Sequence, residues 1–276
     1  MRLSRLSRMT LNIVPMAIFS WVPLNAQQVH FELPEGSVGT VRSHVDGDRR
    51  IDLFLPGTGE GTPHPAIVFV LGFSDESSPV GPLMDHEQYR AWACIVAAHG
   101  FVGVLYSTRE PVADLESVME FLRSDGPRLG VDPERIGLWS ASGNVPTALR
   151  YIRDQSRPHV RVLVTYYGLM PTPDGFQAEA LAVMSSRFGF ALPPYEAGQA
   201  YPPDLPILVV RCGRDSWVEL LASIDRFTAF ALEQNLRVQL MNYPDGHHSF
   251  DTEDDTEETR TVIAQTLWFF ARHLEK

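Results

Sequence analysis

The segment ERIGLWSASGNVP, residues 134–146, carries the pattern that decides how this chain folds. Its first half is an apolar run typical of a buried strand, and small residues then lead into helix-forming sequence. Ser142 lies at that change, between Ala141 and Gly143. A serine on a sharp turn between a strand and a helix can act as a nucleophile, whereas an ordinary loop serine cannot. The rest of the chain must separate these two interpretations.

Strand and helix patterns alternate on both sides of this segment. Residues 38–45 and 50–56 predict two antiparallel strands, and the continuous apolar run 64–72 predicts a strand buried on both faces of a parallel sheet. Further strands are predicted at residues 101–107, 135–140, 161–168, 205–213 and 237–243, and helices at 85–100, 111–124, 144–154, 219–234 and 256–274. This alternation predicts an α/β fold with a mainly parallel sheet of about eight strands and helices on both faces. Functional groups in such sheets gather at the carboxyl ends of the strands.

Residues 170–205 interrupt the alternation with a long segment that is rich in proline and glycine. A connection of this length is usually functional, so we predict a lid-like insertion, with a surface excursion that makes no substrate contact as the alternative. Its aromatic residues are expected to form an apolar inner surface. They are Phe176, Phe188, Phe190, Tyr195 and Tyr201. Residues 74–84 and 170–205 are expected to shape any pocket.

Composition limits the architecture and the partners. The chain has 276 residues, 44% of them hydrophobic, which is enough for one well-filled domain over residues 27–276. The formal net charge of -11 argues against nucleic acid and anionic membrane surfaces as partners.

The first 26 residues have the layout of a secretory signal peptide. Three arginines precede a short apolar run that proline interrupts, which leaves it too short for a stable membrane span. We expect cleavage after Ala26, with an uncleaved anchor as the alternative. Loss of the three arginines would change the formal charge from -11 to -14. The expected location is the bacterial periplasm or the extracellular space, where disulfides can form. Cys94 and Cys212 are nevertheless interpreted as buried free thiols, and neither lies on an activating turn.

The serine turn departs from the usual Gly-x-Ser-x-Gly pattern, in which small residues flank the nucleophile because the turn is tight. Ser140 and Asn144 occupy the two glycine positions here. One is small and the other tolerates left-handed backbone, so the turn remains possible. A pattern centred on Ser140 would place Leu138 in a flanking position, which is sterically worse.

Two other strand ends carry groups that suit a serine nucleophile. Asp215 follows the strand at 205–213, where an acid can orient a histidine, although a turn or helix cap is an alternative role. His247 and His248 follow the strand at 237–243, where a histidine can serve as general base. The adjacent histidines also suggest a metal, but no further ligands stand at metal-site spacing, so we predict none.

The order Ser, Asp, His at three strand ends is characteristic of the α/β-hydrolase sheet. From about Val38 to the C-terminus the chain resembles that superfamily, and within it dienelactone-hydrolase-like and prolyl-oligopeptidase-like esterases. The similarity is carried by DPERIGLWSASGN at 132–144, ILVVRCGRDSW at 207–217 and YPDGHHSFD at 243–251.

The resemblance implies Ser142 as nucleophile and Asp215 as acid. It implies His248 as base, because a small residue and an aromatic follow it, and His247 is the alternative. Dienelactone hydrolases usually carry a cysteine nucleophile, so the serine here favours serine esterase chemistry.

An oxyanion hole in this fold needs two backbone N–H groups. We expect one from Gly143 and one from the loop after residues 64–72, where many relatives carry His-Gly and this chain carries Leu71-Gly72. Phe73 is the predicted second donor and Ser74 the alternative. Because the donor is backbone, the missing histidine does not remove the hole.

These residues together predict an exported serine hydrolase that cleaves a small carboxylic ester through an acyl-enzyme, with no cofactor. A peptidase or amidase with the same three residues is one alternative, and a binding protein without turnover is another. The acidic run 251–260 is assigned no function: its acids are expected to complement the dipole of the last helix, with Thr252 or Asp251 as the cap.

Overall fold

A computed structural model describes residues 29–33, 38–57, 62–154, 159–196 and 199–275. The predicted signal peptide, residues 1–26 with cleavage after Ala26, lies outside the described residues.

One eight-stranded sheet organises the described chain, as the alternation predicted, and it is open. Its strands are β1 Val38–Asp46, β2 Arg49–Pro56, β3 His64–Phe69, β4 Val102–Tyr106, β5 Val131–Ala141, β6 Val160–Tyr166, β7 Ile207–Cys212 and β8 Val238–Tyr243. They lie in the order β1-β2-β4-β3-β5-β6-β7-β8. The β1–β2 and β2–β4 pairs are antiparallel and the others are parallel. The carboxyl ends of β3, β5, β7 and β8 therefore meet at one edge.

Helices cover both faces of this sheet. They are α1 Glu87–Ala98, α2 Pro111–Ser124, α3 Gly126–Leu129, α4 Val145–Arg153, α5 Ala178–Phe188, α6 Val218–Glu233, α7 Phe250–Glu253 and α8 Glu257–Leu274. Gly103 and Gly137 both pair with Ile67, so their Cα hydrogens face the same side. A Cβ on Gly103 would lie 2.9 Å from the Cα of Ala93 in α1, and one on Gly137 would lie 3.3 Å from Leu274 at the end of α8. These glycines let α1 and α8 pack closely on that face.

The strand that leads to Ser142 is anchored by an aromatic cluster around Trp139, which is fully buried. Its ring centroid lies 5.2 Å from that of Trp92 and 5.4 Å from those of Phe69 and Tyr166. Truncating such a residue to alanine costs about 3–5 kcal/mol. The end of β5 is therefore a rigid support for the turn that follows.

The structure adds three helices that the sequence patterns did not predict, and it corrects one cap. Helices α3 and α7 are single turns, whereas α5 is a regular helix. Helix α8 is capped by Thr256, whose side chain accepts the N–H of Thr259 at 3.0 Å. The predicted cap at Thr252 or Asp251 is therefore wrong: both residues belong to α7, and Asp251 is fully buried.

The insertion at 170–205 is a folded segment built around α5. Of its aromatic side chains, Phe190 and Tyr201 are buried and Phe188 and Tyr195 are partly buried, but Phe176 is 39% exposed. The apolar inner surface therefore exists without Phe176. Phe190 pairs with Phe73 in an isolated antiparallel bridge, which joins the insertion to the loop after β3.

Both cysteines are free thiols. Cys212 is buried, but Cys94 is only half-buried, which corrects the expectation for that residue. Burial raises the pKa of both thiols, so neither is an activated nucleophile.

Candidate active site

Ser142 lies on a strained turn between β5 and α4. Its φ of 54° is in the left-handed region, which a residue with a side chain rarely adopts outside functional turns. The N–H of Leu169 donates to its carbonyl oxygen at 3.0 Å and holds the turn from the β6 side. Asn144 has φ −83° and ψ −21°, so this position does not use the left-handed backbone that we considered for it.

The loops after β7 and β8 pass close to each other. The N–H of Gly213 donates to the carbonyl of Tyr243 at 2.8 Å, and the N–H of Arg214 donates to that of Gly246 at 2.9 Å. A Cβ on Gly213 would lie 2.3 Å from the carbonyl oxygen of Pro244, which no side chain could tolerate. This contact brings Asp215 and His248 to the same point at the sheet edge.

The three predicted side chains form a continuous hydrogen-bonded series. The Ser142 Oγ lies 3.0 Å from Nε2 of His248, and Nδ1 of His248 lies 2.8 Å from Oδ2 of Asp215. An ionised carboxylate only accepts, so Nδ1 carries the proton and Nε2 is free to accept from the serine hydroxyl. Asp215 is 5% exposed, and its Oδ1 accepts the N–H of Trp217 at 2.9 Å. Both of its oxygens are thus fixed.

The neighbouring histidine faces a different partner. Nδ1 of His247 lies 3.2 Å from Oδ1 of Asp254, and its side chain is 52% exposed. The two histidines therefore do not share a ligand position. Within the described ranges, no group of three or more His, Cys, Asp or Glu side chains is arranged to hold a metal.

Two hydrogen bonds at Gly72 hold the loop after β3, one to the serine turn and one to the insertion. Its N–H donates to Oδ1 of Asn144 at 2.6 Å, and its carbonyl accepts the N–H of Ala191 at 2.6 Å. The carbonyl and the N–H of one trans peptide point in opposite directions. The N–H of Phe73, in the same peptide as the Gly72 carbonyl, therefore points away from the insertion.

Gly143 lies beside Phe73 at the start of a 3₁₀ turn, Ser142–Asn144, that continues into α4. The first N–H groups of a helical segment have no partner within it, so the Gly143 N–H is available. A Cβ on Gly143 would lie 3.0 Å from the rings of Phe73 and Phe190, so glycine is needed for this close packing.

A pocket of about 230 Å³ opens beside Ser142. Its lining includes Phe73, the stretch 78–80, Leu83, His86, 88–89, Ala141, Tyr167 and 248–249. Among the described lining residues none comes from 170–205, so the expectation that the insertion shapes this pocket is wrong, whereas the expectation for 74–84 holds in part. Larger clefts of about 530 and 770 Å³ lie away from Ser142, around Leu129 and Phe31.

Behind His248 stands a buried network that the sequence analysis missed. The ring of Tyr167 lies 4.7 Å from the imidazole, centroid to centroid, and its hydroxyl donates to Asp251 at 2.7 Å. Asp251 also accepts from Nε2 of Gln88 at 2.9 Å and from Nε1 of Trp92 at 2.7 Å. Tyr167 directly follows β6, so the strand-end rule that selected Ser142 could have found it.

No protein-family model matches the chain. No curated protein matches it either. Solved structures do match. A hyperthermophilic esterase from the archaeon Pyrobaculum calidifontis is 18% identical, with a TM-score of 0.63 over 87% of each chain. A bacterial heroin esterase is 17% identical, with a TM-score of 0.64 over 90% of this chain and 88% of that one. An alpha/beta hydrolase enzyme from a Medee basin deep-sea metagenome library is 11% identical, with a TM-score of 0.61 over 87% of this chain and all of that one.

This chain has the α/β-hydrolase fold. Sequence identities of 11–18% establish a shared fold, but they do not identify the reaction, which depends on the residues of the site. The α/β-hydrolase fold predicted from the sequence is thereby confirmed, whereas membership of the superfamily and the dienelactone-hydrolase-like subtype stay predictions. In the part of the chain that the structure describes, no helix is both long and apolar enough to cross a bilayer.

Proposed function

We propose that this α/β-hydrolase-fold chain is an exported serine hydrolase that cleaves a small carboxylic ester. The observation that carries the proposal is the series from Ser142 through His248 to Asp215, with contacts of 3.0 and 2.8 Å. It supplies a nucleophile, a base that can take its proton, and an acid that orients the base.

In the proposed reaction His248 takes the proton of Ser142 while the serine oxygen attacks the ester carbonyl carbon. The N–H groups of Gly143 and Phe73 donate to the oxyanion that forms. The alcohol then leaves with the proton from His248. Water attacks the acyl-enzyme with His248 as base again, which releases the carboxylic acid and restores the serine.

Phe73 is preferred to its neighbours as the second donor because the N–H of Gly72 already binds Asn144. The Phe73 N–H is also oriented by the bond from Ala191 to the preceding carbonyl. Ser74 remains the alternative.

The neighbours in the structural comparison support ester hydrolysis, since two of those described above are named as esterases. Export rests on the composition of residues 1–26 alone. It is tested by N-terminal sequencing of protein recovered from the periplasm after expression of the full chain. A start at Gln27 is expected.

Fluorophosphonate labelling of the purified protein tests the nucleophile. The wild type and Ser140→Ala should label, and Ser142→Ala should not. Ser140 is the matched control because its Oγ is buried and binds nothing among the described residues. Labelling that persists in Ser142→Ala would reject Ser142 as the nucleophile. A folded wild type that neither labels nor hydrolyses short-chain esters would reject the proposal and leave the binding protein without turnover.

A further inference from the structure

The pocket beside Ser142 is small and contains no Asp, Glu, Lys or Arg among its described lining residues. Phe73, Val80 and Leu83 contribute apolar surface, and His86 and Gln88 contribute polar groups. Its volume of about 230 Å³ is below the range of about 300–1,000 Å³ that drug-sized ligands occupy. It suits a short group of a few carbon atoms.

The amide of Gln88 has one possible orientation in this pocket. Its Nε2 lies 2.9 Å from the Tyr167 hydroxyl and 2.9 Å from Oδ2 of Asp251. The single proton of Tyr167 goes to Oδ1 of Asp251 at 2.7 Å, so the hydroxyl can only accept from Gln88. Oδ2 of Asp251 is likewise an acceptor, since it also receives the N–H of Trp92. Both N–H bonds of Gln88 are therefore used, and a flipped amide would place its oxygen against two acceptors.

Asp251 fixes the orientation of the Gln88 amide, because Asp251 is fully buried and itself accepts a hydrogen bond from Nε1 of Trp92 at 2.7 Å. With both of its N–H bonds used, Gln88 has only Oε1 left to offer to a ligand. That oxygen makes no hydrogen bond with any described residue. Because Gln88 lines the pocket, we take Oε1 as the acceptor that it offers to a ligand, and the bonds from Nε2 to Tyr167 and Asp251 hold the amide in place. Such an acceptor requires a hydrogen-bond donor on the ligand.

His86 and Asp251 determine which ligand charge the pocket favours. Burial lowers the pKa of His86, so its imidazole is neutral at pH 7 and offers no cation. The carboxylate of Asp251 stands directly behind Gln88 and repels an anion. A carboxylate on the bound group is therefore disfavoured, and a neutral donor such as a hydroxyl is favoured.

The acyl part of an ester suits this pocket better than the alcohol part. The acyl group stays on Ser142 through both steps of the proposed reaction, whereas the alcohol leaves after the first. We infer that the pocket selects a short acyl group carrying a hydroxyl, with Oε1 of Gln88 as the specificity-determining acceptor. This inference rests on the proposed function and names its substrate class: esters of short hydroxy acids.

The test compares p-nitrophenyl esters that share one leaving group. The β-hydroxybutanoate and β-methylbutanoate esters have nearly the same shape and differ in one donor, and the succinate half-ester adds a carboxylate. The wild type should show a kcat/KM about fivefold to tenfold higher for the hydroxy ester than for the methyl ester, as expected for one hydrogen bond to a neutral acceptor. The half-ester should be the poorest of the three.

The variant Gln88→Met removes the acceptor at similar length, and the hydroxy-to-methyl ratio should fall to about one. Gln239→Met makes the same chemical change on exposed β8 and should leave the ratio unchanged. A hydroxy-to-methyl ratio near one in the wild type overturns the inference, and so does a high ratio that persists in Gln88→Met. The wild-type measurement tests the inference even if the variant does not fold. A hydroxyl preference seen only with esters of diols, on the alcohol side, also overturns it.

Fluorophosphonate labelling of the same preparation distinguishes failure of the substrate inference from failure of the proposed hydrolase function. Protein that labels at Ser142 and cleaves both esters equally keeps the proposed function and loses the inference. Protein that neither labels nor cleaves any of the esters loses both.

Discussion

The backbone N–H of Ala191 donates to the carbonyl of Gly72 at 2.6 Å and so joins the insertion to the loop after β3. This bond orients the peptide that carries the Phe73 N–H, the proposed oxyanion donor. The insertion thus acts on the site through backbone geometry, although it does not line the pocket.

Replacing Ala191 with proline removes that N–H and should lower kcat. Loss of one oxyanion donor costs about 10²–10³-fold in kcat, and a misdirected donor should approach the lower value, about 10²-fold, with little change in KM. Ala191→Gly keeps the N–H and should stay within about threefold of the wild type. Steady-state kinetics on a butanoate ester measure both. Equal kcat values in the two variants would show that the bond does not orient the donor.

Asn144 should contribute to activity through its side chain. Its Oδ1 accepts from Gly72 at 2.6 Å, and its Nδ2 donates to the Tyr89 hydroxyl at 2.7 Å. Asn144→Ala leaves the buried Gly72 N–H without an acceptor, so the free energy of unfolding should fall by about 1–3 kcal/mol and kcat by about tenfold. Urea unfolding and ester kinetics measure these effects. Asn242→Ala removes only an exposed hydrogen bond from Arg211 and is the control: it should change stability by less than about 1 kcal/mol and leave kcat unchanged.

The adjacent histidines should behave very differently when each is replaced. His248→Ala removes the proposed base and should lower kcat by about 10⁶-fold. His247→Ala breaks only a half-exposed contact with Asp254 and should retain at least about half of the activity. Initial rates on one ester at pH 7 decide between them. A large loss in His247→Ala alone would move the base to that residue.

Much of the fold and the three central residues could be predicted because they obey a local rule. Ser142, Asp215 and His248 each follow a strand of a parallel sheet, and the parallel arrangement brings strand ends together whatever the connections between them. The fixed order of strands and helices then suffices to place these residues at one edge.

The contacts that refine the site join positions far apart in sequence and could not be predicted in this way. The bond from Gly72 to Asn144 exists because β3 and β5 are neighbours in the sheet. Asp251 lies in a run of acids that indicates solvent exposure, and its burial depends on Trp92 and Tyr167. The sequence of α5 favours a helix, but the proline and glycine residues on either side of it indicated an irregular segment, so the helix was not predicted.

A buried ion pair outside the site should set part of the acid sensitivity of the fold. Asp114, 8% exposed, accepts from Nη2 of Arg49 at 2.5 Å and from the N–H groups of Arg109 and Glu110 at 2.7 Å. Burial alone would raise the pKa of Asp114, but the hydrogen bonds from Arg49 and the backbone outweigh it and hold the pKa below the usual value of 3.8.

A carboxyl whose pKa is lowered by folding stabilises the protein above its unfolded pKa and loses that contribution as the pH falls through its folded pKa. Asp114→Asn should therefore reduce the free energy of unfolding by about 2–4 kcal/mol at pH 7, because it removes the nearest charge partner of the half-buried Arg49 and leaves only Asp46 at 3.4 Å. The difference from the wild type should shrink as the pH falls below about 4. Urea unfolding between pH 3 and pH 7 measures it. Asp245→Asn, in an exposed pair with Arg214, should change stability by less than about 1 kcal/mol throughout. A difference for Asp114→Asn that stays constant across this range would show that its carboxylate is not the group that titrates.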